Sequence, residues 1–151
     1  MLSARLVHLI ESHWEEIISR VIAQSRRELQ LTETRALIES EMREWGRLLL
    51  ENLSHWLAKG SEDEVSGRYE QIGKVRYEEG VPLHVSVHLL CILREKMLDF
   101  VDEHVYSKSS LELYEEEELH RRLGRFFDIL TVHLVHGYER AWKKAALIAR
   151  T

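Results

Sequence analysis

Apolar residues recur at steps of three and four along almost the whole chain, a spacing that predicts helices from end to end. No segment alternates apolar and polar residues between turn signals, as a strand would. A first helix is expected over roughly Ser3–Glu28, with Leu6, Leu9, Ile10, His13, Ile17, Val21 and Ile22 on one stripe. A second starts near Thr32, an N-cap type residue followed by Glu33. It carries Leu37, Ile38, Met42, Trp45, Leu49, Leu53 and Trp56, and ends at Gly60. Ser61 and Glu64 have capping-box spacing and open a third helix that Gly80 closes. A fourth runs from Pro82 to about Val105. It is apolar on several sides up to Leu93, which predicts a central position, and then narrows to one face with Leu90, Met97 and Val101.

Tyr106–Ser110 is expected to be a loop, with Ser109 and Glu112 as another capping box. The fifth helix covers Ser110–Ala149 with a stripe of Leu119, Leu123, Phe126, Phe127, Leu130, Leu134, Tyr138 and Ala141. Glu115–Glu118 lie in its early turns, where carboxylates complement the helix dipole. At about 1.5 Å per residue this helix reaches roughly 55–60 Å, which exceeds a compact domain, so its end projects or pairs with another chain. The seam is not a strict heptad, which argues against a simple coiled coil. The expected fold is all-α: one domain over residues 1–151, a five-helix bundle with a central fourth helix and a long C-terminal helix.

One stretch, Gly73 to Pro82, departs from ordinary helix composition. It holds the only proline and two of the seven glycines, so it reads as a corner between helices. Gly80 suits the left-handed backbone at a helix end, and Pro82 suits the first turn of the next helix. Val65, Tyr69, Ile72, Gly73 and Arg76 share one side of the third helix. A glycine inside a helix costs about 1 kcal/mol relative to alanine, which close helix packing at Gly73 can offset. An inward arginine needs a carboxylate or carbonyl partner. Arg76 is expected either to pair with an acidic residue, Asp128 first, or to face an anionic ligand in the small-residue groove. Arg94 poses the same question.

Composition narrows the function classes. Hydrophobic residues make up 44% and charged residues 31%, a balance that supports a folded core. The net charge of −5 and pI near 6.0 give no global electrostatic case for nucleic acid, which needs a basic face. The apolar runs are too short and interrupted for membrane insertion, which takes about 20 residues, and the N-terminus lacks the uninterrupted apolar core of a secretory signal. A lone cysteine, Cys91, excludes an intramolecular disulfide. Within its apolar run it is expected to be a small buried hydrophobe. A cytoplasmic protein is the expectation.

The nine histidines raise metal or haem binding as the alternative. His84 and His88 are four apart on one helix, and His133 and His136 are three apart on another, so the four can in principle make one site. Against this, only Glu117-Glu-Leu-His120 has the Glu-x-x-His spacing of di-iron bundles, and His84–Leu90 lacks the glutamate of a metalloprotease motif. The expectation is histidines bonded to backbone or carboxylate, with no metal and no cofactor. No nucleophile elbow or phosphate loop is present, so no enzyme activity is expected.

Gly73-x-x-Arg76-x-x-x-Gly80-x-Pro82-Leu83, followed by Leu89-Leu90-x-x-Leu93-Arg94, resembles the N-terminal domain of the RsbRD-type co-antagonist family. Arg125-Phe-Phe-Asp128 and Gly137-Tyr138-Glu139 extend the resemblance over roughly residues 5–142. It implies a helical domain of the kind that precedes signalling modules, with no catalytic residues to carry over. Since the chain ends at Thr151, it implies a free-standing sensory or interaction domain of a bacterial signalling system. Such a domain works through helix–helix contacts with a protein partner or a second copy. Gly73, Arg76, Gly80, Arg94, Asp128 and Tyr138 are its candidate ligand or structural anchors.

Overall fold

A computed structural model of the chain describes residues 3–30, 35–105 and 109–150. Among the described residues it contains helices and no strands: α1 (Ala4–Ser12), α2 (Trp14–Glu28), α3 (Arg35–Leu50), α4 (Leu53–Leu57), α5 (Glu62–Glu78), α6 (Leu83–His104) and α7 (Ser110–Ala149). The expected N-cap at Thr32 and the loop from Tyr106 to Lys108 lie outside them. The architecture is all-α, but the helix count differs because the first two expected helices each break once.

Both breaks have the same chemistry. His13 and Asn52 adopt φ near −120° with ψ near +30°, outside the helical well. The His13 amide shifts to the Ile10 carbonyl, and its own ring Nδ1 bonds the Leu9 carbonyl at 2.9 Å. The Asn52 side-chain amide likewise donates to the Leu48 carbonyl, where the Trp56 indole also donates. A side chain thus takes over a carbonyl that the helical ladder would have used, and the axis kinks. The apolar stripe continues on either side, so periodicity alone does not reveal the break.

The corner after α5 follows its glycine. Gly80 has φ +79°, its amide donates to the Tyr77 carbonyl, and the Val81 amide reaches back to the Arg76 carbonyl. That pair of bonds is a Schellman motif. Pro82 is the residue just before α6 rather than within its first turn. Ser109 accepts from the Glu112 amide and caps α7, which is the serine half of the expected capping box. Ser61 does not cap α5; its hydroxyl instead donates to the carbonyls of Trp56 and Ala58. In the acidic start of α7, Glu115 pairs with Arg5, and Glu118 accepts from the Ser3 amide and hydroxyl, which ties the start of α1 to α7.

α6 is flanked by α1, α2 and α7, while α7 also packs on α1 and α5. The middle of the bundle is therefore shared rather than held by α6 alone. Phe100, Met97 and Ile92 of α6 meet a core that includes Leu6, Ile10, Ile17, Leu123 and Leu130. One side of α6 is open: Cys91 is exposed, contrary to the buried position expected from its apolar run. Leu37, expected in the core stripe of α3, is also exposed.

The closest pairing is α5 against α7. A methyl group at Gly73 would strike the Leu134 carbonyl, and one at Gly137 would strike the Glu70 carbonyl. The two backbones touch because both positions lack a side chain. Gly67 and Gly124 sit on the same two helices with open space around them. Gly73→Ala and Gly137→Ala should each destabilise the fold by about 1–3 kcal/mol through overpacking. Gly67→Ala and Gly124→Ala should instead be neutral or gain about 1 kcal/mol from helix propensity. Gly80→Val should lose about 1–2 kcal/mol from the left-handed backbone. Urea unfolding of these five variants checks all three statements.

Candidate functional site

Arg76 occupies the last turn of α5 and is buried, with its side chain 9% exposed. Its carboxylate neighbour is Glu41 of α3, at 3.5 Å from Nε, with that side chain 14% exposed. The partner expected from the sequence, Asp128, is instead exposed on α7. Helix phase places Arg76 inward but does not say that α3, rather than α7, lies opposite its guanidinium.

The other end of the guanidinium starts a directed chain of hydrogen bonds. Nη1 donates to the Ser86 hydroxyl at 3.3 Å, and Ser86 lies 2.7 Å from the Tyr138 hydroxyl. Tyr138 donates onward to the Val81 carbonyl at 3.0 Å, which obliges Ser86 to donate to Tyr138. One chain thereby connects α5, α6, α7 and the corner backbone. Burial pushes the Tyr138 and Tyr69 hydroxyls above their usual range, so both stay neutral and Tyr138 keeps the proton it donates.

The charge balance here is uneven. Glu79, just past the end of α5, lies within hydrogen-bonding reach of Glu41, so a second carboxylate adjoins the Arg76–Glu41 pair. Burial first, and then Glu79, push the Glu41 carboxyl up from 4.5 to about 7, against the pull of Arg76. Beside this node, Arg76, Tyr69 and apolar side chains of α2, α3 and α6 line a small, partly open cavity of about 50 Å³.

The remaining candidates fall elsewhere. Gly73 lies in the glycine crossing and Gly80 in the corner, so neither lines the cavity. Arg94 and Asp128 line a separate groove between α6 and α7, of about 360 Å³, together with Val87, Cys91, Thr131 and Val132. The four histidines do not converge. His88 bonds Glu28 and His84 is exposed on α6, whereas His133 and His136 of α7 approach Glu70 of α5. Glu41, Ser86 and Glu70 carry no motif of their own; their only sequence signal is a polar residue on an otherwise packed helix face.

The Glu41 shift carries a definite pH sign. The folded chain holds this proton more tightly than the unfolded one, so its stabilisation is complete below about pH 4.5 and is lost as pH rises through about 7. Glu39 and Glu103 act in the opposite sense: hydrogen bonds from Arg26 and Arg20 hold them below the usual range, and that stability is lost in acid. Stability measured against pH should fall between pH 5 and 7.5, and Glu41→Gln should flatten that fall. Arg76→Ala should cost about 3–5 kcal/mol at pH 8, and less at pH 5 where Glu41 takes up the proton. Arg76→Lys should restore only part of it, because an ammonium cannot reach Glu41 and Ser86 with a planar fork. Equal costs at both pH values would break the link between Arg76 and Glu41.

A family model for the N-terminal domain of the RsbT co-antagonist protein RsbRD matches residues 15–150. No curated protein and no solved structure matches the chain significantly. The matched span takes in Glu41, Arg76, Ser86 and Tyr138, the glycine crossing, the corner and the α6–α7 groove. With nearly all of its bundle inside that match, the chain belongs to the RsbRD N-terminal domain family, a family of signal-transduction domains.

Proposed function

We propose that this domain transmits a signal without catalysing a reaction, by helix–helix contact with a partner protein, in the first instance a second copy of itself. The observation that carries this reading is where apolar surface is left open. Among the described residues, Leu37 and Leu83 apart, every large exposed hydrophobic lies on α7: Leu111, Leu113, Tyr114, Val132, Trp142, Leu147 and Ile148. Ala141 is the last buried residue of that helix, and Trp142 beyond it is 58% exposed. Apolar helix surface of this kind is what a second helix covers, and its burial drives association.

The signalling class of the family supports the same reading, as does the arrangement of the interior. The Arg76 chain connects three helices to the corner, so a change at the small cavity is felt by α7. No helix of the described residues is long and apolar enough to cross a membrane, so membrane insertion has no support from the helices.

Sedimentation of the full chain across the micromolar range should show a concentration-dependent dimer. Replacing Trp142, Leu147 and Ile148 together by Glu should shift it to monomer while the far-ultraviolet circular dichroism stays unchanged. A parent chain that remains monomeric throughout would remove self-association, and an unchanged dimer in the triple variant would move the contact away from the end of α7.

A further inference from the structure

The glycine crossing places three metal-ligating side chains together. Glu70 stands one turn before Gly73 on α5, and His133 and His136 occupy the turn before Gly137 on α7. Gly137 packs directly on the Glu70 backbone, so the Glu70 carboxylate must lie over that stretch of α7. His136 Nδ1 bonds Glu70 Oε1, and His133 Nδ1 is 3.9 Å from the same oxygen. One ligand atom from each residue lies within 4.8 Å of the other two. His133 Nδ1 is enclosed and has no hydrogen-bond partner.

We propose that Glu70, His133 and His136 bind one divalent transition-metal ion, of the class of zinc, nickel or cobalt(II), and that the ion ties α5 to α7 beside the glycine crossing. Two imidazole nitrogens and one carboxylate form a donor set that suits such ions. Calcium takes six to eight oxygen ligands, which this site does not offer, and cuprous ion favours sulfur. Zinc–nitrogen bonds of about 2.0–2.1 Å put tetrahedral ligand atoms about 3.3 Å apart, so small side-chain rotations close the observed spacing. The ion also gives the enclosed His133 nitrogen a partner. Side-chain exposures of 26% for Glu70, 32% for His133 and 52% for His136 leave one side open for entry and for water to complete the coordination. The adjoining groove carries Lys74, Arg140 and Lys144, whose charge opposes a cation. Micromolar affinity is therefore expected rather than the much tighter binding of a closed structural site.

This site is independent of the α7 contact proposed above and is tested separately. The full chain, free of any histidine tag and stripped with a chelator, is titrated with zinc chloride by calorimetry. Expected are one equivalent per chain, a raised melting temperature, and binding weakened at least about tenfold by Glu70→Gln, His133→Ala or His136→Ala. His84→Ala and His88→Ala should bind as the parent does. Imidazole resonances of the parent chain provide a readout that needs no variant: those of His133 and His136 should move on adding zinc, and those of the other histidines should not. No saturable binding, binding indifferent to the three variants, or movement of His84 and His88 instead would overturn the proposal.

Discussion

The direct contact between the α5 and α7 backbones is the constraint on which the rest of the bundle depends. Gly73 and Gly137 admit each other's helix to a distance that no side chain permits. The approach brings the last turn of α5 against α7 and sets the height at which Arg76 meets Ser86 and Tyr138. It also lays Glu70 across His133 and His136. The buried polar chain and the Glu70–His133–His136 cluster therefore lie on either side of one crossing, and both geometries depend on its spacing.

The buried polar groups follow a consistent logic. A guanidinium withdrawn from water needs compensation, and here it comes from one ion pair and one neutral hydroxyl, with a further hydroxyl and a carbonyl behind it. The surplus carboxylate is accommodated by proton uptake rather than by a further cation. Such a site stores its imbalance as a proton whose occupancy changes near neutrality.

Much of this architecture is legible in the chain, and the failures share a cause. Gly80 announces the corner because only its backbone conformation tolerates positive φ there, and the phase of Val65, Tyr69 and Ile72 turns Arg76 inward. Phase is a property of one helix, whereas partnership is a property of two. Glu41 and Asp128 are equally acceptable partners for Arg76 until the position of α3 is known. The histidine spacings are visible, but that His133 and His136 meet α5 rather than α6 is a matter of topology. Cys91 illustrates the limit from the other side: its run is apolar on several sides, yet it is exposed where α6 borders the open α6–α7 groove. The breaks at His13 and Asn52 stay hidden because the stripe keeps its phase through a kink made by a single side-chain donor.

The glycine crossing also has a mechanical consequence. Helices usually lock by seating side chains of one in the hollows of the other. Where backbone rests on backbone, the contact point itself carries no such tooth, and register is held beside it by the buried Tyr138 side chain and its hydrogen bonds. From Gly137 to Ala149 the helix extends about 18 Å, most of it past the last buried residue. A tilt of about 10° about the crossing would carry that tip through about 3 Å, so a small inner movement of α7 would become a displacement on the scale of a helix–helix contact.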